Sequence, residues 1–380
     1  MKKWAGKYVI GLTGNIGTGK SVVRRMLEHL GAYGIDADAL SHRAIAKGAP
    51  GYEPVLQTFG RYILGPDEQI DRKKLGRIVF SDPEALKQLE AIVHPLVKQA
   101  IDLMVRRANQ KVIVIEAVKI VENGISELCD SLWLVYTSEE VQMNRLVQNR
   151  GMNEKDALQR INNQPLQDEQ IKSASVIIKN ISTYEDTWRQ VNQAWQKCVK
   201  EGDGANTPYM QPLHLNLGEV AVRRAGPKQA DEIVEVVNRL TDPSPALTKD
   251  KVMELFGEKA FLLLQVENKI KGYLGWQVEN LVARTTEMAL EPSLSPAQYI
   301  PIMIREMERA SHDLQCEVSL IVAPQSLAEH EGLWKSLGYA LKRPDDLNVL
   351  AWQEAADEIL RPGCVLFFKQ LRQDRVLRPI

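Results

Sequence analysis

The sequence predicts an α/β chain in two parts, a mostly parallel sheet wrapped by helices and then an α+β unit. Three observations carry this. Over the first 200 residues, short apolar runs alternate with stretches of helical periodicity, the pattern of parallel strands joined by crossover helices. Residues 201–216, EGDGANTPYMQPLHLN, then lose all periodicity and read as a linker. Beyond it several strands follow one another without helices between them, which favours antiparallel pairing. The expected division is 1–200, a linker at 201–216, and 217–380, and 380 residues at roughly 150 per domain agree with two cores.

In chain order, KYVIGL at 7–12 reads as a buried strand, and Val22, Val23, Met26, Leu27 and Leu30 mark one face of the helix after it. A short strand ends at Ile35, a helix follows Asp38, and a long helical stretch runs from Asp82 to Asn109. KVIVIEAV at 111–118, SLWLVYT at 131–137 and SVIIKN at 175–180 are apolar and β-rich, as strands covered on both faces should be. The next segment opens with Ser182 and Glu185 in capping-box spacing and carries Trp188, Val191, Trp195 and Cys198 along one face. The second part reads as strand 219–225, helices 227–240 and 248–256, strands 260–268, 270–278 and 283–292, helix 299–310, strand 317–324, helix 327–339 and strand 363–371.

Composition excludes more than it selects. Apolar and charged fractions of 44% and 26% are those of a globular protein, and a net charge of -1 gives no bulk reason for nucleic-acid or membrane binding. No run approaches the ~18 apolar residues of a membrane span. Cys129, Cys198, Cys316 and Cys364 lie far apart, which indicates neither a zinc site nor a disulfide framework and fits a cytoplasmic setting.

The motif that carries chemistry is GNIGTGKS, Gly14 to Ser21, which fits G-x-x-x-x-G-K-[ST] between a strand and a helix. Gly14, Gly17 and Gly19 let successive amides converge on phosphates, and the positive end of the following helix adds field of the same sign. Nucleotide binding is therefore expected at Gly14, Asn15, Gly17, Thr18, Gly19, Lys20, Ser21 and Val22. Lys20 is placed to reach the β and γ oxygens of ATP, and the Ser21 hydroxyl to enter a Mg2+ shell. The alternative reading is a glycine-rich turn with a surface lysine. No GTPase base-reading stretch accompanies the loop, since ENKI at 267–270 has the wrong final residue. A kinase needs a carboxylate near the γ-phosphate, and IDAD at 35–38 ends the second strand, where Asp36 and Asp38 would face the same crevice as the loop. Equally, the two aspartates would serve as caps of the next helix.

Residues 7 to about 200 resemble the dephospho-CoA kinases, which phosphorylate the ribose 3'-hydroxyl of dephospho-CoA in the last step of CoA synthesis. The resemblance rests on GLTGNIGTGKS, on IDADALSH, on LGRIVFSDPEALKQLEAIVHPLV at 75–97 and on the RL...RG...RI..Q pattern at 145–164. It implies a P-loop kinase with a helical substrate insertion and a lid. Asp38 would be the base, Lys20 would hold the transferring group, and Arg145 and Arg150 of the lid would meet the phosphates; Arg160 lies on the same lid. Asp36, His94 of the HPL motif and Lys119 would contact substrate. Two departures stand out. EAVKIVE at 116–122 replaces D-x-P-L-L-F-E, keeping acids at Glu116 and Glu122 but losing the proline, and the lid pair reads Asn149 and Arg150.

Residues 217 to about 371 resemble the GNAT acetyltransferases through VRRAGPKQADEI, IKGYLGW and LWKSLGY. That family needs a Q/R-x-x-G-x-G/A loop whose amides bind the CoA pyrophosphate, whereas this chain has EPSLSPAQYIP, with prolines that lack the donors. Trp334 stands where a tyrosine acid is usual. The expectation is an ATP- and Mg2+-dependent dephospho-CoA kinase with a degenerate second domain. The alternatives are a bifunctional kinase and acetyltransferase, or a nucleotide- or CoA-sensing module with a lapsed kinase site. Dephospho-CoA is the expected partner, with no nucleic acid and no membrane, and a homo-oligomer stays open.

Overall fold

The computed structural model describes residues 3–149, 151–162, 164, 167–199, 219–374 and 376–377. The first half is built on β1 (Tyr8–Thr13), β2 (Tyr33–Asp36), β3 (Val112–Glu116), β4 (Ser131–Tyr136) and β5 (Val176–Lys179). All pair in parallel, in the order β2-β3-β1-β4-β5. Alternate side chains explain the unbroken apolar runs. Val9, Ile113 and Ile115 enter one core, and Ile10, Leu12, Val112 and Val114 enter the other, so both faces of the sheet are buried.

Nine helices accompany this sheet among the described residues: α1 (Lys20–His29), α2 (Ala37–Ala44), α3 (Tyr52–Phe59), α4 (Arg72–Ser81), α5 (Pro83–Arg107), α6 (Glu139–Asn144), α7 (Glu154–Asn162), α8 (Gln167–Ser173) and α9 (Tyr184–Cys198). The segment from Glu139 to Gln164 is not one helix. A wide turn over Arg145–Asn149 follows α6, and Gly151, at φ +61°, separates it from α7. The long helical stretch expected from Asp82 to Asn109 is α5, which spans 25 residues and runs through Pro95. The cap of α9 is Thr183, whose hydroxyl accepts from the Asp186 amide, while Ser182 bonds the Asp186 carboxylate. Arg150 and the linker at 201–216 lie outside the described residues.

The second half is a seven-stranded sheet in the order β11-β12-β10-β9-β8-β7-β6. Its strands are β6 (Val220–Ala225), β7 (Ala260–Val266), β8 (Lys269–Glu279), β9 (Val282–Leu290), β10 (Val318–Pro324), β11 (Ala340–Lys342) and β12 (Cys364–Gln370). Every pairing is antiparallel except β9 with β10. The helices are α10 (Ala230–Thr241), α11 (Lys249–Leu255), α12 (Pro296–Asp313), α13 (Gln325–Ala328), α14 (Glu331–Ser336) and α15 (Leu350–Ile359). The expected helix over 327–339 is therefore two short ones, and β11 and α15 lacked a sequence signal strong enough to mark them.

The halves pack against each other. Asn280 and Leu281, at the tip of the β8–β9 hairpin, both have positive φ, as tight hairpin turns require. A leucine in that region costs about 1–2 kcal/mol. Leu281 offsets it by entering the core of the first half, where full burial of a leucine is worth about 1.5–3 kcal/mol. Val376 and Leu377 join the same core. His29, at the end of α1, hydrogen-bonds through Nε2 to the Phe256 carbonyl at 2.9 Å and sits edge-on to the Phe256 and Trp188 rings.

Candidate active site

The crevice lies where parallel strands end. Beyond Thr13 the chain turns through Gly14, Gly17 and Gly19, at φ +148°, +75° and +90°. A Cβ on Gly14 would lie 2.5 Å from the Val135 carbonyl oxygen, and one on Gly19 would collide with the Asn180 amide, so both positions exclude a side chain. Gly19 caps α1 without a side-chain acceptor, which leaves the first amides of the helix for a ligand. Asn15 turns its carbonyl inward to receive the Thr18 hydroxyl at 2.8 Å and the Lys20 ammonium at 3.3 Å.

The loop is braced from outside by residues that the motif does not name. Ile16 accepts from Gln142 at 2.8 Å and donates to Gln164 at 2.7 Å. Asn180, one residue past β5, donates to the Thr18 carbonyl at 2.8 Å. The Arg145 guanidinium lies 3.1 Å from the Gly17 carbonyl oxygen, 3.2 Å from that of Thr18 and 3.1 Å from that of Asn180. Arg145 thus ties the lid to the loop, and burial lowers its pKa.

At the end of β3, buried Glu116 accepts from the Ser21 hydroxyl at 2.9 Å and from Arg24 Nε at 2.7 Å. Burial works against the Arg24 charge, but Glu28, Glu116 and Asp36 outweigh it and raise its pKa. Asp38, in the first turn of α2, accepts from the Val118 amide at 3.1 Å. Burial pushes its carboxyl above the ordinary aspartate value and Glu116 adds to this, while the Val118 amide and Lys20 oppose it. Asp38 therefore lies within the field of the loop lysine.

The two aspartates expected to share one crevice separate. Asp38 lines a recess with Ser41, His94, Lys98 and Asn123. Asp36 caps α2 by accepting from the Ala39 amide at 2.8 Å and lines a cavity on the other side, between the halves. Burial, then Glu116, raises the Asp36 pKa. His94 is half-buried, and burial lowers its pKa. Lys119 is exposed and pairs with Glu90 at 3.8 Å. Val22 packs against the core behind the sheet, and Arg160 stands exposed on α7. Among the described residues no group of three or more His, Cys, Asp or Glu forms a metal cluster, and no helix is long and apolar enough to cross a membrane.

In the second half the strand-to-helix turn before α12 offers few donors. Pro296 occupies the first helical position, Pro301 lies inside the helix, and the Gln298 and Tyr299 amides already bond the Ser295 carbonyl. Trp334 is 1% exposed, stacks on Phe367 at 4.1 Å and donates to the Leu327 carbonyl.

Residues 8–186 match the family model described as CoaE, dephospho-CoA kinase. The chain is 41% identical over 196 residues to the dephospho-CoA kinase of Geobacter metallireducens, a match covering 51% of this chain and 98% of that protein. The crystal structure of TT1252 from Thermus thermophilus is 30% identical, covering 51% of this chain and 98% of its own, with a TM-score of 0.47. An acetyltransferase of the GNAT family from Streptococcus pneumoniae is 14% identical, covering 40% of this chain and 99% of its own, with a TM-score of 0.31.

Proposed function

The chain belongs to the dephospho-CoA kinase family, and we propose that residues 1–200 transfer the γ-phosphoryl group of ATP to the ribose 3'-hydroxyl of dephospho-CoA, with 201–216 as linker and 217–380 as a second domain. The observation that carries this reading is the placement of Asp38, a half-buried carboxylate of raised pKa held by the Val118 amide, within the field of Lys20 and beside a glycine loop whose helix start is open to phosphate.

In the proposed mechanism the loop amides and Lys20 hold the phosphate tail, and Lys20 neutralises charge on the transferring group. The substrate approaches on the side where Ser41, His94 and Lys98 gather around Asp38, so that its 3'-hydroxyl meets that carboxylate. Asp38 takes the hydroxyl proton as the oxygen attacks phosphorus. The residues fit a Mg2+ that arrives with ATP: Ser21 directs its hydroxyl proton at Glu116, which leaves an oxygen lone pair for a hard cation. Such an ion would neutralise charge on the β and γ oxygens. Arg145 supports the reading from the lid side by holding the loop carbonyls away from the phosphates, and Lys119 stands at the outer edge as a second cation. For Asp36 the reading changes from substrate contact to helix cap.

A coupled assay of ADP release, with and without dephospho-CoA, tests the reaction. Turnover should require dephospho-CoA, and Asp38→Asn should lower kcat by on the order of 100- to 10,000-fold, the usual contribution of a general base, while ATP still binds. Wild-type turnover in that variant would remove Asp38 from the role.

A further inference from the structure

Helix α2 carries Asp38 in its first turn and Arg43 in its last. Arg43 reaches across to the second half, where its Nη2 lies 2.6 Å from both carboxylate oxygens of Glu317 and its Nη1 donates to the Asn280 carbonyl at 2.8 Å. The pair is deeply enclosed, with the side chains 10% and 1% exposed. Glu317 is itself immobilised. Its amide donates to the Leu281 carbonyl at 2.7 Å, its carbonyl accepts from Leu371 and Arg372, and its Oε1 accepts from the Val376 amide at 3.3 Å. The hairpin tip that supplies Asn280 also covers Asp36, the cap of the same helix, across a cavity of about 40 Å³.

We propose that Arg43 and Glu317 are positioning residues for phosphoryl transfer: the second half grips α2 through this pair and so holds Asp38 at its place in the cleft. The guanidinium spans two acceptors of the second half, Nη2 on the Glu317 carboxylate and Nη1 on the Asn280 carbonyl, and so fixes direction as well as distance. Enclosure keeps it from exchanging with water, and removal of one partner strands the other charge away from solvent. The matched Geobacter protein is covered at 98% by 196 residues, which leaves no room in it for a second half of this size. The grip is therefore an addition of this chain, and it makes the kinase geometry depend on the appended domain. This inference rests on Asp38 being the proton acceptor.

The test compares full-length wild type, Glu317→Gln, Arg43→Lys and Asp38→Asn, with kcat expressed per ATP-binding site counted by calorimetry. Glu317→Gln keeps the shape and removes the charge, and Arg43→Lys keeps the charge and removes the second nitrogen that reaches Asn280. Each should lower kcat by roughly 10- to 100-fold, the effect of displacing a reacting group by about 1 Å, with KM for ATP within about twofold of wild type. A merely structural pair would lower the number of binding sites and leave kcat per site unchanged, and that result overturns the proposal. Should Glu317→Gln fail to fold, Arg43→Lys carries the same test alone. Loss of turnover in Asp38→Asn together with wild-type kcat per site in the pair variants refutes the grip alone; undiminished turnover in Asp38→Asn refutes the base and the grip together.

Discussion

Each half of the molecule contains a strand that feeds a helix, and the two starts are built differently. Before α1 the chain runs through three glycines at positive φ, and no proline stands in the first turn of the helix. Before α12 it runs through EPSLSP, with proline at the first helical position and the Gln298 amide folded back onto the Ser295 carbonyl. Both helices have the same positive end. What separates a binding site from a plain connection is whether the backbone donors are left pointing outward, which depends on glycine in one case and is prevented by proline in the other.

The largest expected effect breaks the first start. Gly14→Ala places a methyl group 2.5 Å from the Val135 carbonyl oxygen and 2.9 Å from the Thr18 hydroxyl, so the loop must shift. ATP affinity measured by calorimetry should fall by on the order of 100-fold or more. The matching change in the other half, Ser295→Ala, removes a side chain that makes no cap bond, and it should leave ATP affinity and turnover at wild-type values. Equal losses in the two variants would mean that the second start also contributes to nucleotide binding.

A second prediction concerns the far end of α1, which docks where α12 has no equivalent. Burial, then Arg224, disfavours a charged His29, and although the Phe256 carbonyl works the other way, the pKa falls to about 3 from an ordinary 6.5. The folded protein therefore binds fewer protons than the unfolded chain between these values. Stability is present above pH 6.5 and is lost as pH falls toward 3, by up to about 1.4 kcal/mol per pH unit from this group. Urea unfolding at pH 7, 6 and 5 should show the slope in wild type and a shallower one in His29→Gln. Identical slopes would assign the acid sensitivity elsewhere.

Strands β1, β3 and β4 of the first sheet were legible because they lie covered on both faces, and burial writes an apolar run directly into sequence, while the edge strand β5 keeps an apolar run although half of it is exposed. The phosphate loop was legible for a similar reason, since left-handed backbone demands glycine at set spacing. What the sequence did not disclose depends on distance in space. Asp36 and Asp38 are two positions apart and look interchangeable, yet one accepts from Ala39 toward the interdomain side and the other from Val118 toward the cleft. Gln142 and Asn180 carry no motif, although Asn180 follows a strand's carboxyl end, where parallel sheets place their sites, and Gln164 closes the RL...RG...RI..Q pattern without any local sign that it bonds Ile16. Glu317 and Arg43 are separated by 274 positions, and nothing local marks either as the partner of the other.

The smallest effect sharpens the comparison from within the second half. The Trp334 indole is stacked on Phe367, and its N–H is committed to the Leu327 carbonyl at 2.8 Å. The nearby Tyr339 phenol is buried as well and donates to Ser319, and burial raises its pKa. A group so enclosed works through packing, not proton transfer. Trp334→Phe deletes the N–H and part of the ring, leaving a carbonyl unpaired and a small void. The cost should be about 1–3 kcal/mol, read as a fall in Tm, with ADP release per folded molecule unchanged. Because α14 lies far along the chain from the glycine loop, a drop in turnover without a drop in Tm would require the second half to reach the kinase cleft by a route other than α2 and the hairpin tip.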